Sequence, residues 1–194
     1  MASETTGCKS SEAARVKTPE ISVVVISIHA GPLLARAVQS VLDQDMESEV
    51  IVVNSAGGNT AARLGKLREK VTLIEREQLL YVGAARNLGI AACHAPYIAF
   101  LAEDCVAAPG WLRERLRYHH AGAVTVASAM LHDRPLHLVA WAHQLLLFPR
   151  RLPHLAAREV ILYSVSFDRT LFDRYGLFEE SLKTGEDSEF LKRL

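Results

Sequence analysis

A run of β-branched residues near the start of the chain constrains the fold most strongly. Residues 21–28 read Ile-Ser-Val-Val-Val-Ile-Ser-Ile, a pattern typical of a strand that is buried on both faces of a parallel sheet. Apolar residues then recur at helical spacing over residues 34–42, and a second apolar strand is predicted at residues 49–54. The pattern predicts a βαβ unit whose first strand lies in the centre of the sheet.

The alternation of strands and helices continues as far as Gly122. After a Gly-containing turn at 55–59, helix, strand, helix, strand and helix are predicted at residues 60–70, 71–75, 81–93, 97–101 and 109–120. Beyond Gly122 the pattern weakens, and it predicts a strand, an apolar helix, a strand and a short helix at residues 123–130, 136–148, 160–167 and from Asp168 onward. This order predicts a layered α/β domain with right-handed crossovers.

Length and charge limit the number of domains and the class of partner. With 194 residues, 49% of them hydrophobic, the chain is long enough for one sizeable core and short for two. Its 22 Lys and Arg residues balance 22 Asp and Glu residues, so nothing in the net charge indicates a nucleic-acid partner. The sequence contains no run of about 18 apolar residues, which argues against an ordinary membrane span.

The first residues and the cysteines indicate the cellular compartment. Residues 1–18 are rich in Ser, Thr, Ala and charge and lack the apolar core of a signal peptide, so we predict a disordered leader followed by one domain over residues 19–194. The three scattered cysteines, Cys8, Cys93 and Cys105, suggest neither a disulfide framework nor a CxxC metal site. Both observations favour a cytoplasmic protein.

One segment leaves two interpretations open. Residues 145–151 read Leu-Leu-Leu-Phe-Pro-Arg-Arg, which places apolar bulk beside two arginines, as a peripheral contact with the inner face of a membrane would. A helix that packs on the sheet and is followed by a basic loop gives the same pattern. We favour the packed helix because core helices commonly have such a sequence.

Polar residues directly after the predicted strands are candidates for function, because ligands of open α/β sheets bind outside the carboxyl ends of the strands. Ser27 and His29 lie at the end of the first strand. Asn54 lies at the end of the second, and Gly57 and Gly58 in the following turn would let the backbone approach a base or a ribose. Most such turns are only turns, so this signal is weak alone.

Two Glu-Asp pairs bear most directly on the chemistry. Glu103 and Asp104 follow the fourth strand, where carboxylates can bind a hard divalent cation; a solvated acidic turn is the alternative. Glu186 and Asp187 begin the last predicted helix, where the helix dipole favours ionised carboxylates even without a function. Asp187 would qualify as a general base if its helix faces the first pair.

Arg86 and the histidines are further candidates. Arg86, on the predicted helix at 81–93, is suited either to a phosphate or to an acidic turn, and both roles stay open. Surface or packing roles are expected for the histidines, which lack a partnering Cys or HExxH spacing: His119, His120, His132, His137 and His143. The absence of GxSxG, P-loop and GxGxxG sequences argues against hydrolases, NTPases and dinucleotide-binding proteins.

Taken together, these motifs resemble those of glycosyltransferase family 2, whose nucleotide-sugar-binding fold is called GT-A. The resemblance rests on the order and spacing of an opening strand, a first helix, an Ala-Arg-Asn-Leu-Gly helix, an acidic strand end, a Pro-Gly-Trp-Leu helix start and a Glu-Asp motif, at residues 21–26, 37–44, 85–89, 102–104, 109–112 and 185–190. It extends from residue 21 to the end of the chain. It implies a Rossmann-like, three-layer α/β/α fold around a mostly parallel, mixed central sheet.

The resemblance also implies an activity, which is the metal-assisted, inverting transfer of a sugar from a nucleotide-diphosphate donor to an acceptor hydroxyl. Asp104, with Glu103, would hold Mg or Mn against the pyrophosphate. Asp187, in the motif with Glu186, would deprotonate the acceptor, which would be a sugar, a glycan or a lipid-linked molecule, and the transition state would have oxocarbenium character. The donor-binding residues would be Ser27, His29, Asn54, Arg86, Glu103 and Asp104.

The sequence departs from the family pattern at three places. Residues 54–58, Asn-Ser-Ala-Gly-Gly, stand where the family has an Asp-rich turn that contacts the base. The family's Asp-x-Asp motif reads Ala-Glu-Asp at residues 102–104, with one carboxylate fewer. The sequence also ends within the helix of Asp187, where relatives continue with elements that close over donor and acceptor, so the predicted domain is C-terminally incomplete.

These departures leave a second hypothesis open, a degenerate or truncated family member that binds a nucleotide sugar or a protein partner without turnover. A third is a nucleotidyltransferase on a related fold. We favour it least, because residues 27–32, Ser-Ile-His-Ala-Gly-Pro, lack the Gly-rich loop with Arg and Lys that such an enzyme would have after its first strand.

Overall fold

Strands and helices alternate along the chain in the computed structural model, which describes residues 18–134, 136–153 and 164–194. In chain order these elements are β1 (Ile21–Ile28), α1 (Leu34–Leu42), β2 (Glu49–Ser55), α2 (Thr60–Leu64), a 3₁₀ helix (Gly65–Lys70), β3 (Thr72–Glu75), α3 (Val82–Ala92), β4 (Tyr97–Ala102), α4 (Trp111–His120), β5 (Thr125–Val126), α5 (Leu138–Leu147), a second 3₁₀ helix (Pro149–Arg151), β6 (Ser166–Asp168), α6 (Thr170–Tyr175) and α7 (Glu186–Arg193). No helix within these ranges is long and apolar enough to cross a membrane. Of the predicted leader at residues 1–18, only Thr18 belongs to the described residues.

The strands form one mixed sheet with the order β3-β2-β1-β4-β6-β5. β1 lies between β2 and β4 and is parallel to both, and β2 is parallel to β3. β6 is antiparallel to β4 and to β5. The predictions of a central first strand and of a mostly parallel, mixed sheet are confirmed.

Helices cover both faces of this sheet because successive strand residues point to opposite sides. In β1, Val23 and Val25 belong to the apolar core that includes residues of α1 and α4. Val24 belongs to the core on the other face, together with residues of α3, α6 and α7. All three valines are fully buried. The three-layer α/β/α arrangement implied by the resemblance is therefore present.

Two glycines allow α3 to lie close to its neighbours. A Cβ atom at Gly89 would overlap the side chain of Val24 in β1, and a Cβ atom at Gly83 would overlap the backbone of Glu179. Since even an alanine would push α3 away from the sheet, the glycines fix its position. Arg86 lies between them and is thereby held beside the sheet.

Some predicted elements are shorter in the structure than in the sequence pattern. The predicted helix at 60–70 changes to a 3₁₀ helix at Gly65, whose φ of 54° no α-helical residue has. The strand predicted at 123–130 is confined to β5. At the end of β5 Arg115 donates to the carbonyl of Val126, and it also donates to the hydroxyl of Ser128 just after the strand. The helix predicted from Asp168 starts at α6, because the Asp168 carboxylate accepts from the backbone N–H of the following helix.

Two other predictions concern the region after Gly122. The strand predicted at 160–167 is observed as β6, and residues 160–163 lie outside the described residues. The preferred interpretation of residues 145–151, a helix packed on the sheet, is wrong. Gln144 is the buried residue of α5, whereas Leu145, Leu146 and Leu147 are 54%, 78% and 61% exposed. Helical spacing of apolar residues does not reveal whether the apolar side faces a core.

Candidate active site

The predicted site residues of β1, β2 and β4 meet at the carboxyl edge of the sheet. A cavity of about 270 Å³ opens there, and Arg86, Glu103 and Asp104 are among the residues that line it. A second cavity, of about 360 Å³, lies beside Leu42 and Ser48, at the end of the sheet where the parallel strands begin. We regard the first as the candidate site, because ligands of open α/β sheets bind at the carboxyl ends.

Glu103 fixes the loop that follows β1. Its carboxylate accepts hydrogen bonds from the Ser27 hydroxyl at 2.5 Å, the Gly31 N–H at 3.1 Å and the Ile28 N–H at 3.5 Å. A side chain at Gly31 would overlap this carboxylate. The candidate ligands Ser27 and Glu103 therefore bind each other, and a hydrogen-bonded loop is the role that the geometry gives them.

Asp104 differs from its neighbour in exposure. It is exposed at the rim of the cavity, and its Oδ1 lies 3.5 Å from the Cys105 Sγ. Within the described ranges, no three His, Cys, Asp or Glu side chains are grouped as a metal site. A cation at Asp104 would therefore need oxygens from a bound molecule or from water.

Asn54 joins the loops that follow β1 and β2. Its side chain is buried, accepts from the Ala30 N–H at 2.8 Å and donates to the Gly57 carbonyl at 2.8 Å. The His29 N–H also donates to the Ser55 carbonyl, at 2.9 Å. With both ends of its amide occupied, Asn54 acts on a ligand through the shape of these loops.

The same loops have unusual backbone conformations. His29, Ala30 and Ala56 have φ angles of 58°, 50° and 61°, in the left-handed region that residues with a Cβ atom seldom adopt. A Cβ atom at Gly58 would overlap the His29 carbonyl, so the two loops are in close contact. Such strain is common where a loop is shaped for a ligand. The His29 side chain is exposed beside this contact.

Arg86 connects the cavity to the last helix. Its guanidinium pairs with the Glu186 carboxylate at 2.9 Å and lies over the rings of Phe100 and Phe178, at 5.2 and 5.0 Å from their centres. Glu186 is only 5% exposed. Of the two roles predicted for Arg86, the structure shows the pairing with an acidic residue, which is Glu186. Glu186 was predicted as a catalytic residue, and its carboxylate is bound in this ion pair.

Asp187 lies at the start of α7, next to this ion pair. It is half-buried, and its Oδ1 accepts from the Ser188 N–H at 2.7 Å. The helix is anchored by the fully buried Phe190, whose ring packs against the rings of Phe167, Phe172 and Phe178. The position of Asp187 therefore depends on two contacts, the ion pair before it and the aromatic cluster after it.

Sequence reasoning missed two buried polar residues that shape the site. Asn87 exchanges hydrogen bonds with the backbone of Phe178, at 2.9 and 3.0 Å. Arg115 is 2% exposed and donates to Ser164, which has a φ of 47° and lines the cavity. Burial lowers the pKa of Arg115 to about 9. The signal was available for Arg115, because it shares the buried helix face of Leu112.

Comparisons with known proteins agree with this fold. The family model described as Glycosyl transferase family 2 matches residues 22–175. The succinoglycan biosynthesis protein ExoO of Rhizobium meliloti (strain 1021) is 27% identical over 188 residues, which cover 88% of this chain and 54% of ExoO. An uncharacterized glycosyltransferase of Haemophilus influenzae is 24% identical over 105 residues, 52% of this chain and 32% of that protein. The chain thus spans about half or less of the length of these relatives.

Solved structures share the architecture at lower identity. Residues 1–349 of S. aureus TarS, in complex with UDP-GlcNAc, give a TM-score of 0.66 and are 18% identical, over 90% of this chain and 52% of that one. The mannosyltransferase PcManGT of Pyrobaculum calidifontis, in complex with GDP-Man and Mn2+, gives the same TM-score, identity and coverage. At this identity the likeness shows the fold.

Proposed function

Because the chain belongs to glycosyl transferase family 2, we propose that it transfers a sugar from a nucleotide-diphosphate donor to an acceptor hydroxyl with inversion. The observation that most supports this proposal is the ion pair between Arg86 and Glu186. It brings the helix of Asp187 to the cavity that Asp104 borders, so a donor site and a base are near each other. The predicted base and the predicted metal ligand are 83 residues apart in the sequence.

We propose that the donor lies in the cavity at the carboxyl edge. TarS and PcManGT were solved with UDP-GlcNAc and with GDP-Man, which supports a nucleotide sugar as the donor class. The Asn54 amide is held by Ala30 and Gly57, so the base would meet the backbone of the turn at 55–58. Gly57 and Gly58, with φ angles of 74° and 97°, give that backbone its shape.

Asp104 would hold a divalent cation, Mg or Mn. Its carboxylate is a hard oxygen ligand at the cavity rim, and Mg commonly binds one or two carboxylates together with substrate phosphates. PcManGT was solved in complex with GDP-Man and Mn2+, which supports the same assignment. When bound, the cation would neutralise charge that develops on the departing diphosphate. Glu103 contributes indirectly, by holding the loop beside Asp104 through Ser27 and Gly31.

Asp187 would remove the proton from the acceptor hydroxyl. The carboxylate lies in the first turn of α7, and its Oδ1 accepts a hydrogen bond from the Ser188 N–H at 2.7 Å. Glu186 is a positioning residue in this scheme, because its carboxylate is bound by Arg86.

A titration of the purified chain with nucleoside diphosphates tests the donor site. We expect calorimetry to detect binding of one diphosphate in the presence of Mn and its loss with EDTA. Asp104→Ala should remove the dependence on metal, whereas Asp173→Ala, at an exposed carboxylate of α6, should not. Equal binding with Mn and with EDTA by the unaltered chain, or no binding of any diphosphate, would count against the proposal.

A degenerate member that binds without turnover is the second candidate. It is favoured by Glu103, because a carboxylate that holds a loop leaves fewer ligands for a cation. Donor binding without transfer or donor hydrolysis, across sugars, glycans and lipid-linked acceptors, would identify this alternative. We further propose that the acceptor is a sugar, a glycan or a lipid-linked molecule, and that the chain acts at the inner face of a membrane.

A further inference from the structure

The helix α5 exposes a continuous apolar surface. Five apolar side chains of the helix and that of Leu136, two residues before it, are more than half exposed; the five are Leu138, Val139, Leu145, Leu146 and Leu147. Among them Leu138 is 84% and Leu146 is 78% exposed. Scattered single leucines are ordinary on protein surfaces, but a contiguous apolar patch marks a contact site.

The most buried residue of α5 is a polar one. Gln144 is 3% exposed, and its side-chain amide donates to the Met130 carbonyl at 3.1 Å. The Met130 N–H in turn donates to the Arg151 carbonyl at 2.7 Å, so Met130 contacts both α5 and the 3₁₀ helix that follows it. A surface helix of a soluble domain has the opposite arrangement, with its apolar side inward.

The charge near α5 is positive, although the whole chain is neutral. No acidic residue occurs in the sequence between Asp133 and Glu159, whereas arginines occur at positions 134, 150, 151 and 158. In the structure Arg150 is exposed and lies three residues after Leu147, the last leucine of α5. Apolar side chains beside arginines match a layer of hydrocarbon beneath anionic headgroups.

We propose that α5 and the 3₁₀ helix Pro149–Arg151 form a membrane-docking surface for a leaflet that contains anionic lipid. The leucines would enter the acyl boundary, and Arg150 and Arg151 would meet lipid phosphates. With 10 residues, α5 would lie in the interface, being too short to span the bilayer. A second copy of the chain would match this surface less well, because residues 134–158 contain no Asp or Glu that could pair with the arginines.

This proposal rests on the proposed function, because docking on a membrane would bring the site to a lipid-linked acceptor. Its binding can be measured without any transfer activity. A failure of docking would therefore leave donor binding intact, and a failure of donor binding would leave docking intact, so the two proposals are distinguishable.

Flotation with vesicles tests the surface. We expect the purified chain to float with vesicles of phosphatidylcholine and phosphatidylglycerol, less with phosphatidylcholine alone, and less as salt rises. Leu138→Glu/Leu146→Glu, and separately Arg150→Glu/Arg151→Glu, should each weaken binding by about tenfold or more. The matched controls are Leu79→Glu, at a leucine 58% exposed, and Lys66→Glu/Lys70→Glu, at exposed lysines of the first 3₁₀ helix. These controls should float like the unaltered chain.

Three outcomes would overturn the proposal. The first is no flotation with either vesicle, with circular dichroism showing a folded chain. The second is flotation that the leucine and arginine substitutions do not change. The third is a concentration-dependent dimer in sedimentation velocity that Leu138→Glu/Leu146→Glu dissociates, which would assign α5 to an interface between two copies. Thermal unfolding of each variant confirms that the substitutions leave the fold intact.

Discussion

The turn after β4 and the start of α7 each contain a Glu-Asp pair, and the two pairs are used in the same way. In each, the glutamate is bound by the protein: Glu103 by the donors of the β1 loop, and Glu186 by Arg86. In each, the following aspartate is the more exposed residue, Asp104 at the cavity rim and Asp187 on α7. Adjacent carboxylates can thus divide into one that fixes an element and one that stays more accessible.

The pairs differ in what binds the glutamate. Glu103 accepts from neutral groups, the hydroxyl and N–H groups of one loop, whereas Glu186 is paired with a guanidinium that lies over two aromatic rings. Removing Glu186 leaves the guanidinium of Arg86 charged in partly buried surroundings. Removing Glu103 leaves neutral donors that water can partly satisfy, so the loss of stability should be smaller.

The largest expected effect concerns the aspartate of the second pair. Asp187→Asn should lower turnover by about 10²- to 10⁴-fold, because an amide cannot accept the proton of the acceptor. Donor affinity should be nearly unchanged. Steady-state transfer rates and calorimetric donor binding measure the two quantities, with Glu189→Gln on the same helix as the control. Equal losses of binding and turnover would remove Asp187 from the role of base.

The glutamate of the second pair should instead affect stability. Glu186→Ala should lower the free energy of unfolding by about 3–5 kcal/mol, because Arg86 loses its buried counter-charge. Glu189→Ala, which breaks a pair with Arg193 at the surface, should cost about 1 kcal/mol or less. Urea unfolding measures both. If the two substitutions cost the same, the buried ion pair does not anchor α7.

The first pair can be tested by a double-mutant cycle. Glu103→Ala and Ser27→Ala share a hydrogen bond of 2.5 Å, so their effects on unfolding should be coupled by about 1.5–3 kcal/mol. Asp104→Ala combined with Ser27→Ala should be additive within about 0.5 kcal/mol. Coupling at Asp104 as large as at Glu103 would contradict the division of roles within the pair.

The smallest expected effect is the contribution of His119 to the pH dependence of the free energy of unfolding. Burial lowers the pKa of His119, against an opposing hydrogen bond to the Ala123 carbonyl. The unfolded chain therefore binds more protons below about pH 6.5, and stability should fall as the pH drops from there toward the folded pKa, at no more than about 1.4 kcal/mol per pH unit.

His119→Gln provides the reference for that titration. Urea unfolding between pH 5 and pH 8 should show a smaller loss of stability on acidification in His119→Gln than in the unaltered chain. The slope that persists in the variant belongs to other groups. Identical slopes in both proteins would mean that His119 does not titrate differently on unfolding.

The sheet could be predicted from the sequence because its signals are local. The β-branched run at 21–28 and the second apolar strand are short stretches whose composition alone indicates burial on two faces. The positions of both Glu-Asp pairs at element boundaries were also predictable. The assignment of each glutamate was not, because the partner of Glu103 is 76 residues away and that of Glu186 lies on another helix.

The helix α5 shows a second limit of local patterns. Its leucines predict a buried helix by composition, and only the contact of Gln144 with Met130 reveals which side faces the protein. For Arg115, the helical spacing with Leu112 did indicate a buried face, but a guanidinium is not expected there. Tertiary contacts decide such cases.

The close contact of Gly89 with Val24 limits which parts of the site can move. A helix that touches the central strand so closely cannot slide or rotate without a steric clash, so Arg86 moves only as the sheet moves. Helix α7 begins after Gly185, a residue with a φ of 84°, and meets Arg86 through Glu186. For α7 to move away from Arg86, this ion pair must break together with the packing of Phe190 against its aromatic neighbours.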